Sequence, residues 1–393
     1  MSPFTRTPGL LSCALLGALA TPLAAKARPL AGPDSLPPAA AAPAPVAEET
    51  PIVKLSGYAG ASYTYSTHPD GRTVVGRLYD RFHDSFVLNA FKLTVERPFV
   101  ATKLSAGMRA DLLFGKNATL LQSTGLNIGT DGDLEQLYVV LNFPTSSGNG
   151  VQFKLGKMVT LLGLEVIEDV ANPNWSVGNQ FNFVENLTST GLEVDVKLSS
   201  AVDIELRVDN GWDRLVVPDG HKSFMGRIGL ASGSTSVGLI GYAGNQQPDI
   251  SAVRYGVQAL VNQKFGKASL WVQADYGKEK ANVNLPDPGE DAAWWALGFW
   301  LASDLSSYAN LAVRADYLND TNGFRTSGVL GFPVSPAGAA HKLWSLTGTL
   351  NLKSWGGALV RPELRYDHSN LTAGAFDGET SQFTAALGVS FIY

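Results

Sequence analysis

The sequence contains a single cysteine, Cys13, so a framework of disulfide bonds is excluded. Charged residues make up 17% of the chain, whereas soluble domains carry about a quarter. This shortage suggests that part of the surface does not face water. The formal net charge of −5 comes without a visible basic face, which argues against nucleic acid as a partner.

Long apolar runs are also missing from the body of the chain. No stretch of about 18 apolar residues is present there, so no transmembrane helix is predicted. A strand of a membrane barrel needs only about ten alternating residues, so a membrane location stays open. What the chain does contain, 41 glycines and 10% aromatic residues, is typical of an all-β protein with many turns.

The N-terminal segment is typical of an export signal. Residues 9–20, GLLSCALLGALA, form an apolar core, and the tripeptide AKA at 25–27 offers a cleavage site. We therefore predict a signal peptide at 1–27, a Pro- and Ala-rich disordered linker at 28–53 and one barrel domain at 54–393. Lipidation of the lone cysteine is disfavoured because the apolar run continues beyond it.

The stretch GLEVDVKLSSAVDIELRVDN, residues 191–210, alternates apolar and charged side chains in two halves. A period of two places the two kinds on opposite faces of a sheet, and a turn at 199–201 makes the halves a hairpin. In that register Asp195 faces Glu205, a repulsive pair for which we expect water nearby. Two attractive cross-strand pairs are also expected: Glu193 with Arg207, and Lys197 with Asp203.

Runs of this kind predict sixteen strands, at 56–67, 84–96, 103–114, 134–143, 151–159, 189–198, 202–210, 222–231, 234–244, 252–264, 267–279, 291–302, 307–319, 340–353, 356–368 and 380–393. The connections alternate between short ones, such as SSA or FGK, and generally longer ones. Bacterial outer-membrane barrels have short periplasmic turns and long external loops. The pattern therefore predicts an all-β fold: a transmembrane antiparallel β-barrel of about 16 strands (range 14–16), with long external loops and short periplasmic turns.

Aromatic residues lie near the ends of several predicted strands. Phe391 and Tyr393 close the last apolar face of the chain, which resembles the C-terminal signal by which outer-membrane barrels are recognised for assembly. Girdles at the membrane interfaces are expected from five tryptophans: Trp212, Trp294, Trp295, Trp300 and Trp355. The simpler alternative for each is that all-β proteins place aromatic residues in strands anyway.

Several blocks resemble the OmpL-like family of outer-membrane β-barrel porins. They are GYAGASYTYS from Gly57, LEQLYVVLNFP, FKLGKMVTLLGLEVIEDVANPNWS with the following TSTGLEV, and the closing LGVSFIY. The most specific block is the central one, which includes Gly156, Lys157, Glu165 and Asn174. The resemblance covers nearly the whole chain from Gly57 and implies an outer-membrane location, in a Gram-negative-type bacterium, with channel activity.

The longest connection, 160–189, is the third external one. In general porins of similar architecture this loop folds into the lumen, so by analogy Glu165, Glu168 and Asp169 are expected to form an acidic constriction. They would face wall cations among the predicted pore-lining residues: Arg109, Lys154, Glu193, Asp195, Lys197, Asp203, Glu205, Arg207, Arg254, Arg361, Glu363 and Arg365. The alternative is that EVIEDV forms a short helical turn with an ordinary solvated face.

Enzymatic motifs are missing from the sequence. The five histidines fall in or beside predicted external loops, and neither G-x-S-x-G nor H-E-x-x-H is present. The segments DGD at 131–133 and NDTNG at 319–323 match no EF-hand and are explained by turn chemistry. We therefore expect no catalytic site, no metal site and no cofactor.

The function predicted from the sequence is passive diffusion of small hydrophilic solutes or ions through a polar lumen, because about sixteen strands leave an aqueous channel. The expected partners are outer-membrane lipid, the barrel assembly machinery and the solutes. Porins of this width often associate as homo-oligomers, but the sequence does not reveal an interface. One alternative is a non-conducting barrel whose external loops bind a surface partner. The other is an exported soluble β-sandwich or an outer-membrane hydrolase.

Overall fold

The computed structural model describes residues 52–145, 150–217, 219–247, 252–287, 289–327, 334–354, 356–372 and 374–393. The predicted signal peptide and nearly all of the predicted linker lie outside these residues, so both stay predictions. N-terminal sequencing of the exported protein would test the cleavage site at residue 27.

The described residues form sixteen strands: β1 (Lys54–Ser66), β2 (Ser85–Arg97), β3 (Ser105–Phe114), β4 (Gly132–Pro144), β5 (Gly150–Val159), β6 (Thr188–Lys197), β7 (Val202–Asp209), β8 (Ser223–Ser232), β9 (Thr235–Asn245), β10 (Val253–Phe265), β11 (Ala268–Glu279), β12 (Ala292–Asp304), β13 (Ala309–Asp320), β14 (His341–Ser354), β15 (Ala358–Ser369) and β16 (Ser381–Ile392). The predicted fold and strand count are confirmed, and every predicted strand end lies within two residues of the observed one. Alternation located the strands well because each has one apolar and one polar face over most of its length.

Each strand pairs antiparallel with its neighbours in sequence, and β1 pairs with β16 to close the barrel. At the closure Ala59 lies opposite Phe391. The helical segments are short: α1 (Lys116–Leu121), a 3₁₀ turn (Asp169–Ala171) and α2 (Asn179–Phe183). Among the described residues, no helix is long and apolar enough to cross a membrane.

The hairpin β6–β7 has the predicted register, with Glu193 opposite Arg207. Its apolar side chains point outward, as Leu192 and Leu206 show by being exposed, while Glu193 and Arg207 are buried inside the barrel. Apolar residues outside and charged residues inside reverse the arrangement of a soluble protein, and a lipid-facing exterior requires this reversal.

The repulsive pair of this hairpin is compensated by cations from neighbouring strands, a contribution that the expectation of nearby water did not include. Asp195 lies opposite Glu205, but Lys154 of β5 has its Nζ 2.8 Å from Asp195. On the other side, Arg227 of β8 has its Nη1 3.1 Å from Glu205. Each acid therefore has its cation on a strand outside the hairpin. The sequence of the hairpin alone could not show these ion pairs.

The predicted tryptophan girdles are wrong for three of the five residues. Trp212, Trp294 and Trp300 are buried within the barrel, whereas Trp295 is exposed on the outer surface. Alternation along β12 explains the difference, since neighbouring residues point to opposite faces and only one of Trp294 and Trp295 can face lipid. Trp355 lies outside the described residues.

Candidate functional site: the lumen and loop 3

Loop 3, residues 160–187, lies inside the barrel. All of its side chains are buried or half-buried, and none is fully exposed. Its centre crosses to β14, where Asn174 Nδ2 donates to Thr349 Oγ1 at 2.7 Å. The segment EVIEDV runs into a 3₁₀ turn at Asp169–Ala171, as in the helical-turn alternative, but it lies inside the barrel and its side chains are buried or half-buried.

Three arginines on the inward faces of β13 and β15 hold the backbone of loop 3. Arg314 Nη1 donates to the carbonyl of Ser176 at 2.5 Å, and Arg361 Nη2 donates to that of Asn172 at 2.7 Å. Arg365 Nη1 donates to the carbonyl of Val177, the residue after Ser176, at 2.7 Å. Charged donors make strong hydrogen bonds, so these contacts satisfy loop carbonyls that would otherwise be buried without partners.

Acidic wall residues bind the loop's N–H groups in the same region. Glu363 Oε2 accepts from the N–H of Trp175 at 2.9 Å. Asp316 Oδ1 accepts from that of Asn179 at 3.2 Å. On β16, Gly388 leaves space for the indole of Trp175, because a Cβ there would lie 2.3 Å from the ring. We call the inward face of β13–β15 the docking wall.

Glu165, the first predicted constriction residue, is buried against the docking wall. Its Oε1 lies 2.7 Å from Arg314 Nη1 and accepts from Trp300 Nε1 at 3.2 Å. Its Oε2 accepts from the N–H of Gly178 at 2.6 Å, which ties the two limbs of loop 3 together. This carboxylate is fully engaged in hydrogen bonds within the loop and its wall.

Glu168 binds Lys92 of β2, whose ammonium also lies 2.7 Å from Glu135 and 3.1 Å from Asp111. Burial favours a higher pKa for Glu168, but the Lys92 charge outweighs it and holds the pKa below its ordinary value. Asp111, Glu135 and Glu168 are close enough together to hold a metal ion. In this arrangement Lys92 already supplies the positive charge between them.

Asp169, the third predicted constriction residue, is buried within the lumen. Burial raises the pKa of this carboxyl, while the charge of Arg361 and a hydrogen bond from Tyr58 act against the increase. The backbone carbonyl of Asp169 accepts from Arg361 Nη1 at 2.5 Å. Of the three acidic residues, therefore, only Glu168 keeps a partly exposed side chain, at 20%.

The inward face of β3–β8, which we call the open wall, differs from the docking wall. Five of its charged side chains remain 16–28% exposed, whereas Arg314 of the docking wall is fully buried. The five are Arg109, Lys154, Asp195, Glu205 and Arg227. Loop 3 thus covers one side of the lumen and leaves charged side chains accessible on the other.

The predicted pore-lining residues fall into three groups in the structure. Those with partial exposure on the open wall are Arg109, Lys154, Asp195, Lys197 and Glu205. Those buried in ion pairs within the wall are Glu193, Asp203, Arg207 and Arg254. Those that contact loop 3 are Arg361, Glu363 and Arg365.

Three important wall residues were missed in the sequence: Lys92, Arg227 and Arg314. Each occupies the polar face of an alternating strand, so the same period of two could have placed them inward. What alternation could not supply is their partners. Two of those partners, Glu165 and Glu168, come from loop 3, far away in sequence.

A family model described as "Putative beta-barrel porin-2, OmpL-like" matches residues 52–392. The chain belongs to this family. It is therefore an outer-membrane β-barrel porin, as in Gram-negative bacteria, and acts as a passive diffusion channel, not as an enzyme. The resemblance and the localisation predicted from the sequence are confirmed. A search of curated proteins returned no match.

Solved structures of other porins share the fold of this porin. The anion-selective porin from Comamonas acidovorans aligns with a TM-score of 0.59 and 10% identity, covering 88% of this chain and 100% of that chain. The channel DcaP of Acinetobacter baumannii aligns with a TM-score of 0.58 and 12% identity, covering 87% of this chain and 97% of that chain. OprB of Pseudomonas putida aligns with a TM-score of 0.59 and 10% identity, covering 87% of this chain and 94% of that chain. At such identities the likeness concerns the fold alone.

Proposed function

We propose that small hydrophilic solutes and ions cross this porin between loop 3 and the open wall. The observation that carries the proposal is the difference in exposure between the two walls. Six charged side chains of β3–β8 remain partly exposed, whereas Arg314, Arg361 and Arg365 of β13–β15 are buried in hydrogen bonds to the loop. A polar, partly hydrated face is what a passing ion requires to replace its hydration shell.

The passage is proposed to discriminate weakly between cations and anions. Four cations are partly exposed there: Arg109, Lys154, Lys197 and Arg227. The accessible anions Asp195 and Glu205, together with Glu168 of loop 3, have similar exposures of 16–20%. Paired charges of both signs leave little net field along the route, so neither sign of solute is strongly favoured. We therefore expect less charge discrimination than the name of the Comamonas porin indicates for that protein.

Single-channel recording in a planar bilayer tests this function. Discrete conductance steps with a reversal potential close to zero in a salt gradient are expected. A large reversal potential would contradict the balanced passage. Silence from protein shown to be folded and inserted would favour the alternative, a non-conducting barrel whose external loops bind a surface partner.

We also infer that the barrel assembly machinery recognises the end of β16. Phe391 and Tyr393 are both exposed on the outer surface. Tyr393 has a second role, because its hydroxyl donates to the carbonyl of Lys92 at 2.7 Å and its ring stacks on Phe91. Association of several copies stays a prediction, which light scattering of the purified porin in detergent would test.

A further inference from the structure

Six arginine and aromatic side chains meet at the external end of the barrel, away from loop 3's docking wall. They come from β9, β10 and β12, and from the connections after β7 and β13. The six are Trp212, Tyr242, Arg254, Trp294, Phe324 and Arg325, and each is less than 10% exposed.

Both guanidinium groups contact the same two indoles. The Cζ of Arg254 lies 4.5 Å from the ring centroid of Trp212 and 5.9 Å from that of Trp294. The Cζ of Arg325 lies 5.1 Å and 5.2 Å from the same two centroids. Two positive charges are therefore held close together in a site of low dielectric, where they repel each other.

Only one of the two guanidinium groups forms an ion pair with a described carboxylate. Arg254 Nε donates to Glu279 Oε2 at 2.5 Å. Arg325 donates from Nε to the carbonyl of Phe183, but its Nη1 has no hydrogen-bond partner in the described part of the chain. No carboxylate of the described residues lies within 4.0 Å of it. Burial lowers the pKa of Arg325 to about 9, and the charge of Arg254 acts in the same direction, while Tyr242, Glu279 and Asp320 act against the decrease.

Further donors approach the same place across two glycines. Gly256 and Gly277 are paired between β10 and β11. A Cβ on Gly256 would lie 2.3 Å from the hydroxyl of Tyr242, and one on Gly277 would lie 2.4 Å from Trp294 Nε1. The two side chains thus lie over neighbouring glycines from opposite sides. Within the described residues, Trp294 Nε1 also has no hydrogen-bond partner.

We propose that Arg254, Arg325, Trp294 and Tyr242 form a binding site for a small monovalent anion, either a halide ion or the carboxylate group of a small organic acid. A buried guanidinium that forms no ion pair and has an unpartnered N–H is costly, although Glu279 and Asp320 act on Arg325 from farther away, and one bound anion would supply the missing direct partner. The same anion would accept from Arg325 Nη1 and Trp294 Nε1, the two donors that lack partners. Aromatic faces around the guanidinium groups hold them in place. The site is a binding function in addition to diffusion and does not depend on the proposed route.

Bromide tests the site directly because it quenches tryptophan fluorescence on contact. Folded porin in detergent micelles is titrated with sodium bromide against sodium sulfate of matched ionic strength. We expect a saturable component of quenching from Trp212 and Trp294, on top of a linear component from other tryptophans. In Arg325→Gln the apparent affinity should fall at least tenfold, whereas Arg325→Lys, which keeps the charge, should retain most of it. The matched control is Arg227→Gln, which removes an arginine of the open wall and should leave saturation unchanged.

Linear quenching in the wild-type protein, identical to that of Arg325→Gln, would overturn the proposal. If Arg325→Gln does not fold, Trp294→Phe removes one of the unpartnered donors, and the apparent bromide affinity read from the remaining reporter, Trp212, should fall. Acetate distinguishes the two ligands. Displacement of bromide by acetate means that the site accepts a carboxylate group, and saturable bromide binding without displacement restricts the site to halides. Because no current is measured, failure of this test leaves the channel function untouched.

Discussion

Arg314 Nη1 lies 2.7 Å from Glu165 Oε1, and both side chains are buried inside the barrel. The same guanidinium donates to the carbonyl of Ser176, so one residue of β13 holds both limbs of loop 3. This contact explains why the loop lies against one side of the lumen. The other side retains exposed charges, and the proposed route follows from that asymmetry.

Replacing Arg314 by Met is expected to loosen loop 3. Removing one partner of a buried ion pair leaves the other charge uncompensated, at a cost of about 3–5 kcal/mol. We expect a lower thermal unfolding midpoint, together with noisier and larger single-channel currents. The double variant Arg314→Met with Glu165→Met should recover part of the stability. Unchanged conductance and stability in Arg314→Met would contradict the docking role of this arginine.

Replacing Glu168 by Gln is expected to shift the reversal potential toward anion selectivity. This is the one predicted constriction carboxylate with a partly exposed side chain, and its loss leaves the Lys92 charge less compensated. The matched control is Asp131→Asn, which removes an exposed acid from an external loop, where it binds Lys116. Equal reversal potentials in wild type and Glu168→Gln would remove this residue from the passage.

Lys154→Gln should have the opposite effect. Lys154 lies on the open wall between Glu193 and Asp195, at 3.0 Å and 2.8 Å. Without its charge Asp195 faces the passage uncompensated, while Glu193 keeps its ion pair with Arg207, so cation selectivity should increase. Lys116→Gln, on the external loop, is the control. A shift toward anions, or none, would show that solutes do not pass along β5.

The position of the strands could be predicted from the sequence, but the course of loop 3 could not. Alternation is a local property, so one hairpin such as 191–210 contains enough information to fix its own faces and register. The acids of loop 3 lie in the third long connection, as the sequence indicated. The cations that bind Glu165 and Glu168 are Arg314 and Lys92, and neither was among the wall residues expected to face them. Choosing Arg314 and Lys92 requires knowing where the loop crosses the lumen, which depends on the closed barrel.

The carboxyl of Glu185 should make stability depend on pH. Burial raises its pKa well above the ordinary value, and the negative charge of Asp275 raises it further, while Gln273 Nε2 donates to Oε1 at 2.6 Å. The folded protein thus keeps a proton that the unfolded chain releases near pH 4.3. This contribution is complete below that pH and is lost as the pH rises toward the folded pKa, by about 1.4 kcal/mol per unit.

Glu185→Gln removes the titrating group at nearly constant shape. Thermal unfolding midpoints of wild type and variant are compared at pH 4 and pH 8. The variant should lose less stability than the wild type between the two values. A larger loss in Glu185→Gln would mean that this carboxyl is charged in the folded porin.

The most direct test of the route compares cysteines on the two walls. Glu205→Cys lies on the open wall and Thr347→Cys on the docking wall, where Thr347 binds Arg314 at 3.0 Å. The wild type, whose one cysteine lies in the predicted signal peptide, is the control. Each variant is recorded in a bilayer while a charged thiol-reactive reagent is added. We predict a stepwise change of conductance at position 205 and none at position 347. Modification at 347 with no effect at 205 would contradict the account and place the passage on the other side of loop 3.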